Sequence, residues 1–205
     1  TNKQFQKSVE NIEYCQSKIK DLDIKEMEEM KNTAQKYSDY KKIHFDERNK
    51  IIRNELPHFW KTAFVNHPQI EELLTEEDVE SIDYLVDLYV EDFEDIRAGY
   101  FLHFEFSTNP YFTNTVITKE YHLMDKNHKV LGKKEPISVS SEIKWKPDMD
   151  LLAKKKKDKK KRKTFSAFFS WFTDNEDPAS DELAEVIKED LWLNPLQYFL
   201  DIEAD

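Results

Sequence analysis

Apolar positions in the first 56 residues fall at Phe5, Val9, Ile12, Ile19 and Leu22, and again at Met27, Met30, Ala34 and Tyr37. Steps of three, four or seven residues, with one slip between Leu22 and Met27, trace a stripe along a helix. No Gly or Pro interrupts this stretch, and good helix formers such as Lys, Glu, Gln and Met fill much of the rest. The spacing predicts one helix over residues 1–56, roughly 80 Å long at about 1.5 Å per residue. A helix of that length outruns what the remaining chain can cover, so its stripe needs a partner. A second copy of the same helix, parallel or antiparallel, supplies one, and the nine apolar residues above are read as dimerisation positions. Folding back into a self-contained bundle is the competing arrangement, but no turn residue exists before Pro57.

Pro57 ends the helix, because proline disfavours helical geometry at the residue before it and donates no hydrogen bond. Phe59, Trp60, Ala63 and Phe64 then predict an aromatic helical face, closed by His67-Pro68, and Thr75 predicts the N-cap of a short acidic helix over residues 76–82. From Tyr84 the period becomes two. Val86, Leu88 and Val90, then Tyr100, Leu102, Phe104 and Phe106, then Ile117, Lys119, Tyr121 and Leu123 read as three strands, with Ile143 and Trp145 as a fourth. Turn signals at Ala98-Gly99, Asn109-Pro110 and Asn127-His128 favour an antiparallel meander, one face wet and the other on helices. Phe165, Phe168, Phe169, Trp171 and Phe172 predict a buried helix. Ser180 is the expected cap of another that turns Leu183, Val186, Ile187 and Leu191 inward, and Pro195 opens a last turn with Tyr198 and Phe199. The fold class is therefore α+β: a dimerisation helix over 1–56, then a domain over 57–205 with a four-stranded antiparallel sheet packed on helices.

Charge sharpens this picture. The net charge of −11 is concentrated: 19 acidic against 9 basic residues in 57–150, and 11 against 1 in 164–205. Between them, residues 151–163 carry nine basic residues and one acid. From Glu71 to Asp95 there are twelve carboxylates and no Lys or Arg, whereas a merely soluble surface mixes both signs. Such a chain is a poor partner for nucleic acid as a whole and a good one for something basic. The run of Lys154, Lys155, Lys156, Lys157, Lys159, Lys160, Lys161, Arg162 and Lys163 repels itself and reads as a mobile loop. A nuclear localisation signal, a linker that happens to be basic and, less favoured, a DNA-touching patch are its three readings.

Catalytic chemistry finds no foothold. Two glycines in the chain exclude the glycine-rich phosphate loops. The six histidines lack H-E-x-x-H or H-x-x-x-H spacing, no G-x-S-x-G elbow occurs, and Cys15 sits on the long helix with no pocket for a catalytic pair. That lone cysteine also excludes an internal disulfide and fits a reducing compartment. No enzyme activity, cofactor or metal is expected, and no apolar run reaches the length of a membrane span. The chain begins at Thr1, as a trimmed sequence would.

The segments FEDIRAGYFLHFEFSTNPYFTNTVITKEYHL (residues 93–123), SEIKWK (141–146), FFSWFTD (168–174), SDELAEVIKEDLW (180–192) and NPLQYFL (194–200) resemble, in order, the nucleosome assembly protein family of histone chaperones. The short basic loop and FFSWFTD are most similar to its SET, or template-activating factor I, branch. The resemblance implies a homodimer of paired long helices, each end carrying an α/β "earmuff" whose acidic surface engages core histones without ATP and promotes nucleosome assembly and disassembly. It carries the histone-binding role to Thr173, Asp174, Asp181, Glu182, Glu185, Glu189 and Asp190, and in second place to Glu91, Asp92, Glu94 and Asp95. The family's extended acidic tail does not follow Asp205 here, as trimming would explain. The alternative implied by the same branch is a regulatory scaffold that inhibits a phosphatase or masks histone tails from acetyltransferases. Shuttling between nucleus and cytoplasm is expected.

Overall fold

The computed structural model describes residues 2–123, 138–152, 168–175 and 181–201. The chain divides into two units, residues 1–43 and 44–205. The first consists of the larger part of one continuous helix, α1 (Asn2–Glu55). Eight of the nine stripe residues are exposed on it, from Val9 at 37% to Phe5 at 67%, and Ala34 is half-buried. Tyr14, Ile24, Tyr40 and Ile43 are exposed as well, so more apolar surface is available than one stripe.

The second unit begins with the end of α1. Leu56 N still donates to Ile52 O, and His58 then takes a left-handed conformation (φ 62°) that turns the chain into α2 (Phe59–Asn66). Phe59, Trp60, Ala63 and Phe64 are buried as their spacing predicts. Pro68 opens α3 (Pro68–Glu71). Thr75 caps α4 (Glu76–Ile82) reciprocally: its hydroxyl accepts from Asp78 N, and Asp78 accepts from Thr75 N. The fully buried Asp78 carboxylate also accepts from Phe168 N at 2.9 Å, so the same acid that closes α4 fixes the start of α5 (Phe168–Trp171).

Four antiparallel strands follow in the order β1-β2-β3-β4: β1 (Leu85–Asp92), β2 (Gly99–Phe106), β3 (Val116–His122) and β4 (Ser138–Ser140). Period two is clean in β2, where Tyr100, Leu102, Phe104 and Phe106 are buried, and in β3, where Ile117, Lys119 and Tyr121 are. In β1 a register irregularity between Leu85 and Asp87 changes the phase. Leu85 and Leu88 are therefore the buried pair, and Val86, expected inside, is only half-buried. The fourth strand is Ser138–Ser140, not Ile143 and Trp145. β4 pairs with β3 through Ser140 and Lys119, and Trp145 forms one isolated bridge to Phe112 while packing against Phe169 at 5.5 Å. An aromatic wall of Phe104, Phe106, Phe112, Phe168, Phe169, Trp171 and Phe172 joins the inner sheet face to α5.

The chain closes with α6 (Glu182–Val186), continued by a wider π turn over Ile187–Leu191, and α7 (Pro195–Phe199). Asp181 is the N-cap of α6; Ser180, expected in that role, lies outside the described residues, as do Phe165, the Asn127-His128 turn and the whole basic run of 154–163.

Gly99 is one position where only glycine fits. At φ 152° a Cβ would collide with the Tyr121 carbonyl oxygen and stand 2.7 Å from the Phe93 ring. Replacing Gly99 with Ala is expected to cost more than about 2 kcal/mol, the scale of a strained backbone plus a core clash, read as a lower midpoint in chemical denaturation.

Candidate functional site

Lys119 lies in the inward phase of β3 and is completely buried. Its ammonium donates to Trp171 O at 2.9 Å, Asp174 O at 2.6 Å and Asn175 Oδ1 at 3.2 Å, and it lies 5.1 Å from the Trp171 ring centroid. A buried cation is tolerated only when its protons are placed in this way. Burial lowers its pKa, opposed by the charges of Asp181 and Asp174. Beside it, the Asp181 carboxylate accepts from Tyr121 Oη at 2.5 Å, from Trp171 Nε1 at 2.9 and 2.8 Å and from Ala184 N at 3.0 Å. One cation and one anion thus bind β3, α5 and α6 together and hold the Thr173-Asp174 turn in place.

This divides the carboxylates expected to face a partner into two groups. Asp181 is occupied inside the domain. Asp190, its side chain 46% exposed, accepts from Tyr198 Oη at 2.7 Å and lies 3.3 Å from His67 Nε2. Glu182, Glu185 and Glu189 are exposed. Spacings of three and four residues put them on one side of α6 and its π turn, and Lys188 is paired with Glu189. Thr173 and Asp174 are exposed one turn after α5. At the end of β1, Glu91 and Glu94 are exposed, Asp92 is half-buried, and Asp95 is turned into an ion pair with Arg97 at 2.9 Å. Tyr100 links the two acidic regions: its Cα partner is Asp92, Lys188 lies over its ring at 5.1 Å, and its phenol is raised above the ordinary value by burial, then by Asp181, Glu189 and Glu185.

The opposite sheet face holds groups that sequence reasoning passed over. Arg53, at the end of α1, forks onto Glu105 at 2.5 and 2.8 Å and Asp87 at 2.8 Å. The Arg53 hydrogen bond holds the Glu105 carboxyl below its ordinary value, whereas burial outweighs the same arginine at Asp87 and raises that one. Tyr89 is pushed up to about 12 by burial and then by Asp46, Glu91, Asp92 and Asp87. Alternation assigns Glu105, His103 and Glu120 to this face, but their cross-strand neighbours depend on register, which no single strand states. Lys119 carried its own signal, a lysine in the inward phase of a strand.

Among the described residues no group of three or more His, Cys, Asp or Glu is arranged to hold a metal ion, and no helix is long and apolar enough to cross a membrane. Residues 53–202 match the family described as Nucleosome assembly protein (NAP). Protein SET of Drosophila melanogaster is 44% identical over 211 residues, covering 100% of this chain and 78% of the relative. Protein SETSIP of Homo sapiens is 40% identical over 209 residues, covering 99% and 69%. The crystal structure of a nucleosome assembly protein from Plasmodium falciparum has a TM-score of 0.76 at 25% identity, covering 99% of each chain.

The tyrosines give a pH signature. Tyr100 and Tyr121 are both raised above the phenol value of 10.0, burial being the largest cause. Above pH 10 the unfolded chain loses these protons while the folded chain keeps them, so unfolding releases protons and stability falls as pH rises. Lys119, lowered from 10.5, acts in the opposite direction only up to about pH 10.5. The unfolding free energy from chemical denaturation between pH 9 and 11 should fall less steeply in Tyr100→Phe than in the parent, by up to about 1.4 kcal/mol per pH unit. An identical slope would contradict the assignment.

Proposed function

The chain belongs to the nucleosome assembly protein family, and from that membership we propose that it is an ATP-independent histone chaperone. It binds core histones through carboxylates of the second unit and acts as a homodimer joined by the α1 stripe. The supporting observation is the arrangement of Glu182, Glu185 and Glu189, exposed on one side of a helix whose own start is fixed by the half-buried Asp181. Histones are strongly basic, and a fixed row of carboxylates competes with DNA phosphate for the same Lys and Arg side chains. Each exposed pair contributes only about 0–1 kcal/mol. Useful affinity therefore needs many pairs acting together, and two copies of the surface on one dimer add avidity. Since the surface acts by binding, histones can be passed to and from DNA without a chemical step.

The apolar α1 residues left exposed, Phe5, Ile12, Ile19, Leu22, Met27, Met30 and Tyr37 among them, support pairing of two chains. The basic run of 154–163 is proposed to direct import in a protein that moves between nucleus and cytoplasm.

Light scattering of the chain alone should give the mass of a dimer. Adding either core-histone pair, the outer dimer or the central tetramer, should raise it, with binding that weakens steeply as salt passes through physiological strength. A monomer, or indifference to salt, contradicts the proposal. Fused to a cytoplasmic reporter, residues 154–163 should carry it into the nucleus, and a version with the lysines changed to Gln should not.

A further inference from the structure

The last helical segments carry apolar side chains that the core does not use. On α7 the inner side is Pro195, Tyr198 and Phe199: Pro195 is buried, Tyr198 reaches Asp190, and Phe199 stacks on Phe59 at 4.6 Å. Leu196 and Leu200, four residues apart on the other side, are 50% and 52% exposed. Leu193 is 52% exposed as well. It belongs to the turn before α7, because its amide still donates to Asp190 O at 3.1 Å, as does that of Asn194 at 3.0 Å. The outward side of α6 therefore does not end at Glu189. Spacings of three, four and four residues carry it from Glu182 through Glu185 and Glu189 to Leu193, and the two leucines of α7 follow. A single exposed leucine needs no explanation; three in succession at the end of a carboxylate row do.

Resting on the reading that the partner is a basic protein, we propose that Leu193, Leu196 and Leu200 form an apolar seat for an amphipathic basic helix of that partner. The helix runs beside α6, its cations facing Glu182, Glu185 and Glu189, and its apolar side chains, a turn or two further on, settle on the leucines. A helix suits this surface better than an extended segment. Facing side chains on two helices recur at the same interval, about 5.4 Å per turn, whereas a strand moves about 6.7 Å between residues on one side and falls out of step. Charge selects the occupant: the carboxylate row beside the leucines repels an acidic partner, including the second unit of another copy of this chain, and draws in a cationic one. The ion pairs supply orientation, and the leucines supply affinity that salt does not screen.

The test is fluorescence anisotropy with the full chain and two labelled helical peptides of one composition, Lys, Leu, Ala and Gln. In the first, Lys recurs at helical spacing along one side and gives way to Leu on the same side; in the second, the same residues are shuffled so that Lys and Leu fall all round the helix. The variants are Leu193→Ser with Leu196→Ser and Leu200→Ser, Leu196→Gln alone should the triple change disturb the fold, and Glu182→Gln with Glu185→Gln and Glu189→Gln, each first checked by circular dichroism. The parent should bind the patterned peptide about tenfold more tightly than the shuffled one, the scale of covering one or two half-exposed leucines. The triple leucine variant should lose that preference at low and high salt alike, and Leu196→Gln should lose about threefold. The carboxylate variant should keep the preference but flatten the dependence on salt. Equal affinity for the two peptides, or leucine variants that bind as the parent does, overturns the seat, and histone binding that persists in that case leaves the chaperone reading intact. A leucine variant whose mass falls in light scattering shows a second copy covering the patch, and overturns the seat too. If the patterned peptide binds with the expected leucine dependence but core histones do not bind, the seat stands and the chaperone reading falls.

Discussion

The Asp181 carboxylate is the point on which the second unit turns. A phenol from β3, an indole from α5 and the Ala184 amide in the first turn of α6 converge on it, with the Lys119 ammonium beside it holding carbonyls at and just after the end of α5. Each charge carries its own set of hydrogen bonds, and the Asp181 charge also opposes the burial that lowers the Lys119 pKa. Aromatic packing brings α5 to the sheet without dictating where α6 begins; the polar cluster does that, because hydrogen bonds have direction and dispersion does not. Where α6 begins decides which of its carboxylates point outward.

An acidic protein surface is often described by its total charge, but the carboxylates here differ in kind. Asp78, Asp181 and Asp190 are structural acceptors, and Asp87 and Glu105 are held by Arg53. Glu182, Glu185 and Glu189, with Glu91 and Glu94, remain exposed. In the proposed function a cationic partner meets the second set, while the first keeps that set in register. The π turn at Ile187–Leu191 belongs to this division, since Glu189 is exposed beside an Asp190 that reaches Tyr198 and His67.

Much of this was legible in the sequence, for identifiable reasons. The 54-residue helix declared itself through the absence of breakers, α4 through Thr75 and its first-turn acids, and β2 and β3 through alternation, because local propensity and pattern agreed in each. The misreadings came where a distant contact outweighed a local pattern. Ile143 and Trp145 look like a strand, but Trp145 is held by Phe112 and Phe169, leaving Ser138, Val139 and Ser140 to pair with β3. Val86 was placed inside because one irregularity in β1 shifts the phase without a signal in composition. Asp181 and Asp190 look no different in sequence from Glu182 and Glu189; only the fold shows which have Tyr and Trp donors waiting.

Anchoring acids are distinct from presenting ones, and one paired measurement addresses that separation directly: thermal midpoint and histone affinity, taken side by side for Asp181→Asn and for the combined neutralisation of Glu182, Glu185 and Glu189. The account predicts a clearly lowered midpoint for the first, and for the second an unchanged midpoint with affinity reduced severalfold. An Asp181→Asn chain as stable as its parent, or a neutralised α6 that binds histones undiminished, would contradict it.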